Sequence, residues 1–124
     1  MRTTLILLLI LAAAAGGGCS YSVRIRNDNG QPLAVRLVQT DLLMKDWVLA
    51  ETKVMPGETA ELGPTSRVMK SHIFLEAGLT HGGGVAAARR AVLPGRHAFT
   101  ITTDATETPP ALSFTSASWS DLIP

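Results

Sequence analysis

The sequence predicts an all-β protein: an antiparallel β-sandwich of about seven or eight short strands, preceded by a cleaved signal helix. Apolar and polar residues alternate with period two in several short segments, which is the pattern of half-buried strands. Residues that favour turns interrupt these segments every 8 to 12 residues or so, as they do in sandwiches. Removing residues 1–18 leaves about 106 residues, which suits one domain with a modest core. We therefore expect a signal peptide at 1–18 and a single β-sandwich domain at 19–124.

The first two strands are predicted from the segments YSVRIRN, residues 21–27, and PLAVRLVQ, residues 32–39. Val23 and Ile25 share one face of the first segment, and apolar residues alternate in the same way along the second. The NDNG stretch between them is typical of a tight turn, because Asn, Asp and Gly tolerate positive φ at little cost. We expect these two strands to form a β-hairpin.

The middle of the chain predicts two more strands around a Pro-Gly stop. Residues 41–46 read as a loop or one helical turn, and a third strand runs from Trp47 to Met55. Pro56 and Gly57 end that strand, because proline and glycine interrupt strands. A fourth strand begins with ETAEL, residues 58–62, and GPTS, residues 63–66, is expected to be another turn.

The second half predicts further strands separated by polar loops. SHIFLEAG places Ile73, Leu75 and Ala77 on one face, and LTHGGG follows as a loop. Residues 85–93, VAAARRAVL, fit a helix by composition and a strand by length and flanking turns. The remaining segments are read in order as a strand at 96–103, a polar loop at 103–110 and a last strand at 111–116.

A weak internal repeat favours a strand at residues 85–93. The pattern V-x-P-G-x-x-A occurs at 54–60 and again at 92–98, and the same offset of 38 residues lays Val35 and Leu37 over Ile73 and Leu75. The segment that corresponds to 85–93 in the first copy is a predicted strand. The repeat reflects either an internal duplication or the recurrence of Pro-Gly turns in any sandwich. The predicted architecture is similar in outline to the immunoglobulin-like and transthyretin-like modules found outside bacterial cells, although their hallmark cysteines are absent.

The first 18 residues have the three parts of a secretory signal. Arg2 makes the start basic, and an apolar run follows from Leu5 to Ala15. That run is shorter than the 20 or so apolar residues that span a bilayer. Gly16 to Gly18 supply the small residues that precede a cleavage site.

The segment GGGC resembles the lipobox of bacterial lipoproteins, in which small residues precede a cysteine. The resemblance implies that Cys19 is acylated with diacylglycerol, carries palmitate-like chains and becomes the first residue of the mature protein. Gly16 stands where the family usually has an aliphatic residue. The alternative is an ordinary signal cut that leaves Cys19 as a free thiol. A lone cysteine in an exported chain has no disulfide partner, which favours lipidation.

The residue after the cysteine bears on the membrane in which the protein is anchored. In lipoproteins of bacteria with two membranes, Asp at this position favours retention in the inner membrane, and here the position is Ser20. The resemblance therefore implies a lipid-anchored protein of the bacterial cell envelope, on the outer membrane facing the periplasm if the organism is didermic.

Composition argues against nucleic-acid binding. Without Arg2 the chain has 10 basic and 10 acidic residues, so its formal net charge is near zero. Binding through counterion release requires a positive surface, and the pair Arg89–Arg90 is too small to form one.

The sequence carries no recognisable catalytic motif or cofactor motif, so we expect a protein that is not an enzyme. The THGGG stretch lacks the Gly-Lys-Ser/Thr ending of a P-loop. It also resembles an esterase oxyanion segment, but the G-x-S-x-G elbow is absent and the chain is too short for that fold.

The three histidines, His72, His81 and His97, are too far apart in sequence to suggest a zinc site, which usually has ligands close together. We therefore expect no metal. The alternative function is a small-ligand or metal-binding module that uses these surface histidines. In it, His72 and His97 would meet across the sheets, with Glu76 two pleats along the strand from His72.

Two tryptophans complete the candidate residues. Trp47 is expected in the core, whereas Trp119 lies in the polar tail SASWSDLIP and is expected either to contact a partner or to fold back onto the sandwich with Leu122 and Ile123. His81, in the LTHGGG loop, is the second candidate for partner binding. The leading hypothesis is a lipid-anchored envelope protein whose non-catalytic sandwich is a binding or structural module for an envelope partner, with the membrane as its other contact.

Overall fold

The computed structural model describes residues 20–40, 43, 45–66, 72–81 and 84–124, and confirms the predicted all-β sandwich. The predicted signal helix lies outside these residues. The strands are β1 Ser20–Asn27, β2 Leu33–Thr40, β3 Asp46–Val54, β4 Thr59–Ser66, β5 His72–Leu79, β6 Ala88–Val92, β7 Gly95–Asp104 and β8 Ala111–Ser116. A single 3₁₀ turn, Trp119–Asp121, follows them in the described part of the chain.

The strands form two sheets of four. Sheet A has the order β4-β1-β7-β8 and sheet B the order β3-β2-β5-β6. Neighbouring strands are antiparallel except for β1 and β7, which are parallel. The immunoglobulin arrangement keeps its first two strands in one sheet, whereas here β1 and β2 lie in opposite sheets. The strand order therefore departs from the immunoglobulin-like outline, one of the two that the sequence suggested.

The predicted hairpin between the first two strands is wrong. β1 pairs with β4 and β7, and β2 pairs with β3 and β5. Residues 28–32 carry the chain from sheet A to sheet B. Val23 and Ile25 on β1, and Val35 and Leu37 on β2, are all buried in the core between the sheets. The alternation along each strand is the same for two strands side by side and for two strands face to face, so it could not distinguish these arrangements.

A buried asparagine closes the end of the sandwich where the chain crosses. Asn27 is fully buried, and its amide nitrogen donates to the carbonyl oxygens of Gln31 at 2.8 Å and Val54 at 2.9 Å. Its side-chain oxygen accepts from the backbone N–H of Asn29 at 2.8 Å. The contact with Val54 joins the end of β1 in sheet A to the end of β3 in sheet B.

The core lies between the inner faces of the two sheets. It is built from the alternating apolar residues of the strands, and the predicted inward face of β5, with Ile73, Leu75 and Ala77, is confirmed. The largest apolar side chains that are less than 2% exposed are Tyr21, Ile25, Leu33, Leu37, Leu75 and Ile101.

The predicted turn at residues 63–66 is instead part of β4. Gly63 has φ of +91°, and the bond between Gly63 and Pro64 is cis. The register between β1 and β4 shifts between Tyr21 and Val23, so that one extra residue of β4 is accommodated opposite Ser22. β4 is an edge strand, where a proline without an N–H donor is tolerated.

The sequence left residues 85–93 open between strand and helix, and within them residues 88–92 form strand β6. The two V-x-P-G-x-x-A motifs have the same role, because each carries the chain from sheet B to sheet A, once between β3 and β4 and once between β6 and β7. Both motif glycines have positive φ, 79° at Gly57 and 119° at Gly95. The shared conformation explains the shared residues, whether or not the two halves arose by duplication.

The prediction that Trp47 lies in the core is wrong, since Trp47 is 51% exposed. It is the second residue of β3, an edge strand of sheet B, and the ammonium group of Lys45 lies 4.8 Å from its ring. As an edge strand, β3 has a neighbouring strand on one side only, so less of the sheet surrounds the indole.

We expect Asn27→Ala to lower the free energy of unfolding by about 2–4 kcal/mol, because it leaves a buried carbonyl of Val54 and the carbonyl of Gln31 without their donor. Urea unfolding followed by circular dichroism measures the change. The control is Gln31→Ala, which removes an exposed side chain and keeps the backbone acceptor. Equal stability of the two variants would contradict the role given to Asn27.

We expect Gly63→Ala to destabilise the fold by about 2–4 kcal/mol, because the backbone has positive φ and an added Cβ would collide with the carbonyl oxygen of Tyr21. Gly30→Ala is the matched control, since nothing lies within 4 Å of a Cβ at that position. Thermal unfolding of both variants measures the difference, and a Gly63→Ala protein as stable as the control would show that β4 does not hold the strained conformation.

Candidate functional site

The C-terminal tail folds back onto the outer face of sheet A. The backbone N–H of Ala117 donates to the carbonyl oxygen of Ala98 at 2.9 Å, and Arg24 Nη1 donates to that of Trp119 at 2.8 Å. Trp119 is half-buried and Leu122 only 4% exposed, whereas Ile123 is 77% exposed. Of the two alternatives that the sequence left open for the tail, the structure shows folding back, for Trp119 and Leu122 but not for Ile123.

Two arginines of sheet A contact the indole of Trp119. The guanidinium carbon of Arg24 lies 4.0 Å from the ring centroid, and that of Arg96 lies 5.3 Å from it. Arg24 also lies 3.7 Å from a carboxylate oxygen of Glu61 on β4. The ring therefore covers two cationic groups on the outer face of the sheet. Arg24 is paired with a carboxylate, and Arg96 is paired with none among the described residues.

A third arginine reaches the same region from sheet B. Arg90 lies opposite Leu75 in the register of β5 and β6, so it occupies an inward-facing position of the edge strand β6. Its guanidinium lies 5.0 Å from the ring of Phe99 on β7. His97 stacks on the same ring at 6.4 Å, and its Nε2 donates to the carbonyl oxygen of Leu93 at 2.7 Å.

These side chains line a cleft of about 290 Å³ between the β6–β7 connection and the tail. We call it the Arg–Trp cleft, and define it by Arg90, Leu93, Arg96, His97, Phe99 and Trp119. Two aromatic rings and two guanidinium groups therefore face one opening.

The two guanidinium groups that line the cleft, Arg90 and Arg96, are not paired with a carboxylate of the described residues. Among the described residues there are six arginines, and four of them lie within 4.0 Å of a carboxylate: Arg24, Arg26, Arg36 and Arg89. Arg90 and Arg96 have no carboxylate of the described residues within that distance. A guanidinium presents a planar set of donors that matches a carboxylate or a phosphate, and contact with aromatic rings keeps it in place. The arrangement is suited to holding an anionic group.

The other predicted partner residue, His81, lies far from this cleft. It is exposed and follows Leu79, whose partner in β2 is Leu33, so it belongs to the end of the sandwich that Asn27 closes. At that same end the hydroxyl and backbone N–H of Thr106 donate to the carboxylate of Asp104 and hold its pKa below the usual value. Trp119 and His81 therefore do not form one site.

The structure also separates the histidines. His72 lies 6.4 Å from Phe74 on the outer face of sheet B, whereas His97 stacks on Phe99 on the inner side of sheet A. Glu76 is on the outer face with His72, where one carboxylate oxygen lies 3.2 Å from Arg36. Among the described residues no group of three or more His, Cys, Asp or Glu side chains is close enough to hold a metal.

Cys19 lies outside the described residues, and the structure begins at the next residue, Ser20, which is the first residue of β1. Among the described residues no helix is long and apolar enough to cross a membrane.

Sequence reasoning found Trp119 but missed Arg90 and Arg96. The net charge of the Arg89–Arg90 pair gives no indication of a site. The informative feature was the phase of β6, where Ala88, Arg90 and Val92 alternate on the inward face, because an arginine in the apolar phase of a strand must reach an opening or a partner.

Comparison with known proteins finds no similar protein. The chain matches no protein family, no curated protein and no solved structure.

Proposed function

We propose that this chain is a lipid-anchored protein of the bacterial cell envelope whose non-catalytic β-sandwich binds an anionic group of an envelope component in the Arg–Trp cleft. The observation that carries the binding proposal is the pair Arg90 and Arg96, which face one cleft beside the rings of Phe99 and Trp119. Neither lies within 4.0 Å of a carboxylate in the part of the chain that the structure describes. The lipobox-like segment that ends at Cys19 supports the anchor.

The proposed mechanism combines a tether with a charge-selective cleft. A lipid on Cys19 would confine the sandwich to a membrane surface and raise its local concentration for any component there. In the cleft, the aromatic rings would exclude water from one side of each guanidinium, and a bidentate pair with a carboxylate or phosphate is stronger under those conditions. The side chains of the cleft supply positive charge and aromatic surface, and both would help to bind an anionic ligand.

The alternative of a metal-binding or small-ligand module that uses the three histidines has less support. His72, His81 and His97 lie on three different surfaces, and only His97 lines the cleft.

We expect the double variant Arg90→Gln, Arg96→Gln to reduce capture of the envelope component by about tenfold or more, which corresponds to roughly 1.4 kcal/mol of binding free energy. A photoreactive residue in place of Ser116, which lines the same opening, would cross-link the component in intact cells. The measurement is the yield of cross-linked product for each variant.

The matched control for that experiment is Arg26→Gln, which removes one exposed arginine that pairs with Asp28 at 2.9 Å away from the cleft. The control should retain the cross-linking yield. If the double variant and the control give the same yield, the Arg–Trp cleft is not the binding surface.

We expect Cys19 to carry a diacylglyceryl group in the protein purified from membranes. Mass spectrometry of the intact mature protein should show a first residue at Cys19 with the added mass of acyl chains. Cys19→Ala should abolish that mass and move the protein out of the membrane fraction. A wild-type protein with an unmodified thiol in the aqueous fraction would refute the anchor.

A further inference from the structure

One end of the sandwich is the place where the described chain begins. β1 starts there at Ser20, and the register of the neighbouring strands places the end of β4, the end of β2, the start of β3 and the β6–β7 connection at the same end. We call it the anchor end. It lies opposite the end that Asn27 closes.

Large apolar side chains are exposed at the anchor end. Six large hydrophobic residues of the described chain are exposed, and four of them belong to this end: Leu43, Trp47, Val48 and Leu93. Leu43, in the β2–β3 connection, is 87% exposed, and Leu93, between β6 and β7, is 75% exposed. The other two, Met55 and Ile123, lie in the β3–β4 connection at the opposite end and in the C-terminal tail. The exposed apolar side chains of the described residues are therefore concentrated at one end of the sandwich.

Basic groups accompany these apolar side chains. The ammonium group of Lys45 lies 4.8 Å from the ring of Trp47, and Arg96 lies in β7 next to the connection that contains Leu93. Asp46, the acidic residue at the start of β3, accepts a hydrogen bond from Thr40 and lies 3.7 Å from Arg89, so its charge is already engaged. Leucine, tryptophan and lysine side chains in this combination suit the boundary between lipid tails and headgroups.

The distance to the lipid is fixed by covalent geometry. Consecutive Cα atoms are about 3.8 Å apart, so the Cα of Cys19 lies within that distance of the Cα of Ser20. Since Ser20 is already part of β1, a lipid on the residue before it would be joined to the folded domain without a linker. A lipid on Cys19 must hold the anchor end against the bilayer.

We propose that the anchor end seats on the bilayer that carries the lipid anchor, with Leu43, Trp47 and Leu93 in the interface and Lys45 directed to the headgroups. This inference rests on the proposed lipidation of Cys19, and goes beyond it by fixing which surface of the sandwich meets the membrane. The occupant of the exposed apolar surface is then the lipid, and neither a second copy of the chain nor a protein partner.

The two tryptophans provide the test, because one lies at the anchor end and the other on the outer face of sheet A. The mature lipidated protein is reconstituted in vesicles of phosphatidylethanolamine and phosphatidylglycerol that contain lipids brominated on the acyl chains. Trp119→Phe leaves Trp47 as the reporter, and Trp47→Phe leaves Trp119 as the matched control. The expected result is fluorescence quenching at least about threefold stronger for Trp47 than for Trp119.

A second pair of variants tests the contact between the anchor end and the bilayer without changing the reporter tryptophan. In the Trp119→Phe protein, Leu93→Glu places a charge in the interface and should at least halve the quenching of Trp47. Ile123→Glu changes a residue of similar exposure in the tail and should leave it unchanged. Both side chains are exposed, so neither change disturbs the core.

The outcomes separate this inference from the proposed function. If Cys19 carries its lipid and the protein floats with the vesicles, but Trp47 is quenched no more than Trp119, the seat is refuted and the anchor stands. If the emission maximum of Trp47 shifts with protein concentration and its fluorescence is not quenched by brominated lipid, the surface is an interface between copies of the chain. The inference is then wrong. If Cys19 has a free thiol, both proposals fail.

Discussion

The buried carboxamide of Asn27 is the interaction on which the two-sheet arrangement depends. Its side chain joins the end of β1 to the carbonyl of Val54 at the end of β3, and its backbone N–H and carbonyl bond Glu58 and Gly57 in the next connection. Both places where the chain first crosses between the sheets therefore meet at this one residue. A buried amide is stable there only because each of its groups has a partner, and each partner is a backbone group.

The period-two pattern predicted where most strands lie, because the face on which a side chain falls depends only on its neighbours in sequence. Pairing depends on the rest of the chain. The NDNG segment fits a hairpin turn locally, but Asn27 has its side chain turned into the protein, where it holds a crossover. Gly63 and Pro64 likewise have the composition of a turn, and they form part of an edge strand because β1 offers a register shift opposite them. Local composition could not indicate either outcome.

The candidate site shows the same division. The lipobox-like segment is a local motif, so its prediction rests on the sequence alone and lies outside the described residues. The Arg–Trp cleft joins β6, β7 and the tail, which are brought together only by folding. The adjacent residues Arg89 and Arg90 illustrate the point. Arg89 faces outward, donates to Thr40 at 2.8 Å and covers the ring of Phe74, whereas Arg90 faces inward over Phe99 and meets no carboxylate of the described chain. A one-residue change of phase separates a structural arginine from a candidate binding arginine.

The lipid anchor and the exposed side chains of the anchor end would contribute differently to membrane binding and to orientation. Burial stabilises by about 0.8 kcal/mol per methylene, so acyl chains of ordinary length supply far more binding free energy than Leu43 and Leu93, which contribute about 1.5–3 kcal/mol each when fully buried. Retention at the membrane would therefore not depend on these leucines. A few kcal/mol is nevertheless enough to favour one orientation more than tenfold over another. Because Leu93 belongs to both the anchor end and the Arg–Trp cleft, that orientation would place the cleft next to the headgroup layer, and the end that carries His81 would point away from it.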